Sequence, residues 1–256
     1  MRRKLVTFLN KILPKLNHVI VQGYPNLESG AVEVANKICD GYDILVFFPV
    51  SKSSVAYSKL GLLNSKVIII DKSSFYLQWK YLTARYLFFT HGSQLNTFSK
   101  RQVSVNLWHG ILYKKVGTLL GQRGVPASFT VGTSELTQKM FSTAFNVINS
   151  TVLVTGYPRN DVMINTKTKK QIVKNKISKE FSAFDKIIIW LPTYRKSKDV
   201  GFNRRDGLEV GNPFYIENFQ VDKFNQILKD NNTLCIVKPH PMAPSYGNQV
   251  SLDNLI

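Results

Sequence analysis

Residues 103–117, VSVNLWHGILYKKVG, place an apolar stretch directly ahead of Trp108, His109 and Gly110, with Lys114 and Lys115 a few residues on. An imidazole titrates close enough to neutrality to take a proton from a hydroxyl, and paired lysines beside it suit an anionic substrate. Alternating Val103, Val105 and Leu107 predict a strand, and Gly110 predicts a turn where a Cβ would obstruct the chain. His109 is therefore expected at the carboxyl end of a strand, the edge at which open α/β sheets bind ligands. A hydrogen-bonded structural histidine beside a tryptophan is the competing reading. A second imidazole, His91, ends the strand YLFFTHG; it ranks below His109 because no cations follow it closely, and the sequence does not say whether the two rings meet. Further along, VKPHP carries Lys238 and His240, the latter a turn residue between two prolines or a functional group. The polar loop after KIIIWLPTYR holds Arg195, Lys196, Lys198, Arg204 and Arg205, which either receive phosphate groups or stay solvated.

The elements that must position these residues alternate regularly. HVIVQGYP, a helix over 28–39, YDILVFFPV, KVIIID, a helix over 75–85, YLFFTHG, the stretch before His109, SFTVGT, a helix over 134–146 and TVLVTGYP follow one another. The strands are continuous apolar runs, as expected when helices cover both faces of a parallel sheet. Seven strand candidates interleaved with helices predict a doubly wound, Rossmann-like domain over residues 18–164. At residue 165 the composition shifts to Lys167, Lys169, Lys170, Lys174, Lys176 and Lys179, which reads as a junction with a solvated face. The alternation then resumes with KIIIW, a helix over 221–229 and TLCIV, a second α/β unit over 165–256.

Residues 1–17 group Arg2, Arg3, Lys4, Lys11 and Lys15 around Leu5, Leu9, Ile12, Leu13 and Leu16, a basic amphipathic segment that suits either a membrane surface or ordinary packing as a first helix. Across the chain, 34 Lys and Arg oppose 16 Asp and Glu, a formal charge of +18 that attracts polyanions whatever the fold. Positive charge is scattered, and no zinc finger or RNP-like aromatic motif accompanies it, so no specific nucleic acid is expected. Cys39 and Cys235 stand far apart with no metal-ligand spacing, which suggests a reducing compartment. No P-loop, glycine fingerprint, zinc cluster or Asp-x-Asp pair occurs, leaving cationic side chains and helix amino-termini to neutralise phosphate; neither metal nor cofactor is expected.

Four motifs in order, NLWHGILYKKVG (106–117), TGYPRNDVM (155–163), WLPTYR (190–195) and VKPHP (237–241), with QGYPNLESGAVEVAN (22–36) ahead of them, resemble the CDP-glycerol glycerophosphotransferase family of teichoic acid and capsule synthesis. The resemblance implies a GT-B-like fold, two Rossmann-like domains facing a cleft, with the second incomplete here: the family's later Thr-Asp-Tyr-Ser-Ser segment has no counterpart before Ile256. It also implies that His109 and His240 are catalytic, His109 as general base. Lys114, Lys115 and Arg159 match family positions, whereas Leu112 stands where the family has a proline. Lys238 and Arg195 are candidates to stabilise phosphate charge.

The implied reaction is attack by an acceptor hydroxyl on the phosphorus that carries glycerol or another alditol, with cytidine monophosphate leaving. The donor would be a CDP-alditol and the acceptor a lipid-linked or polymer hydroxyl, and the amphipathic start would hold the protein as a peripheral protein at the cytoplasmic face of the membrane. A GT-B glycosyltransferase or epimerase using a nucleotide sugar is the rival within enzymes. A non-catalytic basic protein that binds polyanions or membranes is the rival from another class.

Overall fold

The computed structural model describes residues 2–51, 62–92, 98–112, 115–164, 181–192, 214, 216–238 and 253–255. The chain divides into two compact units, Met1–Lys167 and Thr168–Ile256.

The first unit is built on seven parallel strands: β1 (Leu16–Gln22), β2 (Leu45–Val50), β3 (Ile68–Asp71), β4 (Ala84–Phe89), β5 (Val103–Asn106), β6 (Phe129–Gly132) and β7 (Val152–Val154). Their order across the sheet is β3-β2-β1-β4-β5-β6-β7, so the direction of winding reverses between β1 and β4. Helices α1 (Arg2–Ile12), α2 (Ser29–Gly41), α3 (Phe75–Thr83), α4 (Glu135–Phe145) and the single turn α5 (Asp161–Ile164) connect or flank them.

Both faces of the sheet are covered, which is why the strands read as unbroken apolar runs. On one face Val19, Val21, Val46, Phe48 and Val50 meet Ala31, Val32 and Ala35 of α2. On the other, Ile20, Phe47 and Leu87 meet Leu77 and Tyr81 of α3. A third cluster joins Leu107, Trp108, Val131 and Val152 to Phe141, Ala144 and Phe145 of α4. Helix starts are capped locally: Glu28 accepts from the Ala31 amide at 2.9 Å, Ser74 caps α3, and Ser134 with Thr137 forms a reciprocal capping box on α4. His18 illustrates the structural kind of histidine, since it is buried and its Nε2 donates to the Lys80 carbonyl oxygen at 3.0 Å.

β5 departs from the expected alternation. Ser104 and Asn106 are its fully buried residues, while Val103 and Val105 are half-buried. Ser104 and Ser128 satisfy one another across the β5 side of the sheet: each backbone amide donates to the other's hydroxyl, at 3.1 and 2.9 Å.

In the second unit β8 (Lys186–Trp190) pairs in parallel with β9 (Thr233–Val237), and α6 (Val221–Asp230) precedes β9. Phe214, Leu228, Cys235 and Leu255 form its core. Asn254 ties residues 253–255 to β9, its amide side chain donating to the Thr233 carbonyl oxygen at 2.9 Å.

Candidate active site

β4 and β5 run side by side in parallel, with Phe89 opposite Asn106. Two residues beyond Phe89 stands His91, and three beyond Asn106 stands His109. Both leave the sheet at its carboxyl edge, and Nδ1 of His91 lies 3.2 Å from Nε2 of His109. β1 and β4 flank the reversal of winding, the position at which open α/β sheets form a ligand crevice. Tyr24, from the loop after β1, stacks on His91 there with ring centroids 5.1 Å apart, and its amide donates to the Thr90 hydroxyl at 3.0 Å.

The turn that delivers His109 is made by Trp108 together with Gly110, both at positive φ. Trp108 has φ 53°, a left-handed conformation that a bulky residue holds only when its surroundings compel it. Two things compel it here. The Asn106 side chain accepts the Trp108 amide at 3.0 Å, a local turn of the kind asparagine favours, and the indole is buried against Phe145 at 4.7 Å between ring centroids. His109 stacks on the same indole at 4.2 Å. At Gly110 φ is 157°, a conformation that residues with a side chain rarely adopt, although an added Cβ would meet nothing within 4 Å. A glycine that space does require is Gly117, with φ 55° and a Cβ position only 2.1 Å from the Ala144 carbonyl oxygen.

Electrostatics keep His109 neutral. Burial, followed by the charges of His91 and Arg159, holds its imidazole down to about 4 against an ordinary value of 6.5. Burial lowers His91 as well, although part of that residue reaches solvent. A neutral imidazole has a lone pair for a proton, which is what a base requires.

Arg159, in the short 3-10 turn Pro158–Asn160, pairs with the carboxylate of Glu28. Glu28 is 7% exposed and also caps α2, so one buried carboxylate anchors the guanidinium to the start of that helix. The sequence reading had Arg159 as a phosphate contact; in the structure its charge is already partly answered. Lys115 is exposed in the segment after His109. Lys238 belongs to the second unit, where it is exposed and its amide continues the ladder to the Trp190 carbonyl oxygen at 3.0 Å. His240, Lys114 and Arg195 lie outside the described residues.

Sequence reasoning passed over several groups at this edge. Lys72, directly after β3, donates to the Asn26 side-chain oxygen at 2.6 Å and the Gly23 carbonyl oxygen at 3.3 Å, and burial lowers its pKa. Its signal was a lysine at a strand's end, KVIIIDK, the same position that singled out His109. Tyr157, in the segment GYPRN, donates its hydroxyl to the Gly110 carbonyl oxygen at 2.8 Å. A cavity of about 690 Å3 beside α2, with Val19, Ile38, Tyr42, Tyr86 and Phe88 in its wall, contains none of the histidines.

A doubly wound parallel sheet with an imidazole pair beyond β4 and β5, next to its switch point, defines a protein of the α/β class whose ligand edge carries titratable groups. The chain belongs to the CDP-glycerol:poly(glycerophosphate) glycerophosphotransferase family, whose sequence profile matches residues 32–254. The teichoic acid glycerol-phosphate transferase of Staphylococcus aureus (strain NCTC 8325 / PS 47) is 24% identical over 156 residues, 54% of this chain and 38% of that protein. Among solved structures, the wall teichoic acid polymerase TagF superposes with a TM-score of 0.72 at 14% identity, covering 99% of this chain and 64% of that one. A TagF structure from a CDPG soak superposes equally well, with a TM-score of 0.72 at 12% identity over the same shares of the two chains. The fold is thus the GT-B-like α/β fold of TagF, and the chain spans 38% of the length of the curated relative and 64% of TagF.

Proposed function

We propose that this chain transfers glycerol phosphate, or another alditol phosphate, from a CDP-alditol to a hydroxyl of a lipid-linked or polymer acceptor in teichoic acid or capsule synthesis. The observation that carries the reading is His109: a neutral imidazole at the carboxyl edge of β5, delivered by a turn that Asn106 and Trp108 hold in place. His109 takes the acceptor's hydroxyl proton as the new O–P bond forms, and cytidine monophosphate departs with the electrons of the bond that breaks. Charge then builds on the leaving phosphate, and preorganised cations stabilise such charge without reorganising at the moment of reaction. Arg159, Lys114, Lys115, Arg195, Lys238 and His240 are the groups assigned to that task.

The same reading puts the protein on the cytoplasmic face of the membrane, beside a lipid-linked acceptor. Support comes from α1, which leaves Leu5, Phe8 and Ile12 at 57%, 58% and 54% exposure while Asn10 is buried on the opposite side of the helix.

The deciding measurement is release of cytidine monophosphate from CDP-glycerol and CDP-ribitol in the presence of a lipid-linked acceptor. Wild-type turnover of one donor, with a loss of about 100-fold or more in His109→Ala, is the expected result. Release from neither donor, or a loss below about tenfold in the folded variant, refutes it.

A further inference from the structure

We propose that His91 and His109 act as one proton-accepting unit, the proton from the acceptor hydroxyl being shared across the contact between the two rings. The inference rests on the transferase reading and deepens it by adding a second imidazole to the base.

The contact is built into the fold. At 3.2 Å, Nδ1 of His91 and Nε2 of His109 are within hydrogen-bond reach, so one nitrogen carries the hydrogen and the other offers its lone pair. Neither ring is loosely placed. His91 packs against Tyr24 and, at 6.1 Å between centroids, against Trp108; His109 stacks on that same Trp108. The registered pairing of β4 with β5 fixes the two strand ends that carry them. Tyr24 and His91 also stand at the reversal of winding between β1 and β4, where a bound acceptor would be met first.

The protons balance as follows in a single transfer. The resting pair has two neutral rings and two ring protons, one of them in the bridge. As the acceptor oxygen bonds to phosphorus, its O–H bond breaks and the proton joins one imidazole, while the bond to cytidine monophosphate breaks and its electron pair leaves on that product. The pair now holds three ring protons and one positive charge. Its bridge gives the imidazolium N–H a neutral acceptor held at a fixed distance. After the products leave, the extra proton passes to solvent.

A second proton is resisted, because it would set two cations 3.2 Å apart. The other groups facing the pair reinforce this. Arg159, on the turn after β7, adds a positive charge that Glu28 at the start of α2 only partly offsets, and the rings of Tyr24 and Trp108 pack against the pair. The pair is therefore a one-proton base.

The chain has four histidines, so ring-nitrogen NMR of the histidine-labelled protein can follow each one through a pH titration. Two variants accompany the wild type. His91→Phe keeps a ring against Tyr24 and Trp108 but has no nitrogen, and His91→Asn keeps a hydrogen-bonding group that cannot hold the proton. The expected result is that His91 and His109 signals move together in the wild type, in two steps of which the second lies lower. His109 in either variant should move in one step, above about 4 because the neighbouring charge is gone. With donor and acceptor present, kcat should fall about tenfold or more in His91→Phe with little change in KM, and His91→Asn should recover only part of it. Identical His109 titrations with and without His91, or an unchanged kcat in a folded variant, overturn the proposal. A wild-type protein that turns over neither CDP-alditol while its two rings titrate together refutes the transferase reading and leaves the shared proton supported.

Discussion

The hydroxyl of Tyr157 donates to the Gly110 carbonyl oxygen at 2.8 Å, tying the loop after β7 to the loop that carries His109. Forty-seven residues separate the two in the chain. Tyr157 is buried in the same cluster as Trp108 and Phe141, and burial pushes its phenol up to about 12, so it remains a donor throughout the working pH range. The segments NLWHG and GYPRN are thus one structural unit, in which the second holds the backbone directly after the catalytic candidate of the first.

Tyr157→Phe removes that donor and leaves the carbonyl oxygen of half-buried Gly110 without it. A cost of about 0.5–1.5 kcal/mol in stability follows from the lost hydrogen bond. Thermal unfolding should show it, and kcat should fall more than KM rises, since His109 is misplaced rather than the donor lost.

Gly117→Ala forces a Cβ to within 2.1 Å of the Ala144 carbonyl oxygen, at a φ of 55° that disfavours any side chain. The obstruction is backbone and cannot rotate away. Destabilisation of about 1–3 kcal/mol or more is expected by denaturant unfolding, from overpacking together with the left-handed conformation. A neutral result would mean that α4 is free to shift at its carboxyl end.

Glu28→Ala removes the cap of α2 and the partner of Arg159 together. Each contribution is modest, because the arginine is one-third exposed, and about 1–3 kcal/mol in all is expected by thermal unfolding. Arg159→Ala separates the roles. If the guanidinium also holds a donor phosphate, that variant raises the KM for CDP-alditol beyond anything Glu28→Ala does.

Acid should weaken the first unit through its histidines. The folded-state pKa values of His18, His91 and His109 all lie below 6.5, with His109 at about 4. Above 6.5 neither state binds a proton at these rings, and there is no pH dependence from them. As pH falls below 6.5 the unfolded chain is protonated first, so stability declines down to the folded values and then levels. Urea midpoints between pH 7 and 4 should fall in the wild type and fall less in His109→Gln. The acid limb of the rate profile should likewise lie below 6.5.

Binding to anionic vesicles should be strong at low salt and weaken as salt rises, since each basic residue at the surface contributes about 1 kcal/mol that ions screen. Replacing Leu5, Phe8 and Ile12 together by serine should weaken binding by about tenfold or more, because buried apolar side chains supply the rest. Equal binding to neutral vesicles in a sedimentation assay would contradict the assignment of α1 to the membrane.

The α/β class was legible in local sequence for a physical reason. A parallel strand covered on both faces is apolar at most positions, so runs such as HVIVQ and ILVFFPV announce themselves, and the helices between them show one apolar face. His109 was legible too, as an imidazole where such a run stops. Local pattern showed only part of the turn: Gly110 drew attention, while Asn106 and Trp108, which also shape the backbone, did not, because an asparagine that accepts the amide two residues on looks like any polar residue in the text. Strand order lies beyond local pattern altogether. Only the placement of β4 between β1 and β5 brings Tyr24, His91 and His109 to one edge, and only the return of the chain after β7 sets Arg159 against Glu28 and Tyr157 against Gly110. Periodicity records what each segment must bury; which segments then become neighbours is decided by the packing of the whole sheet, and with it the identity of the second imidazole.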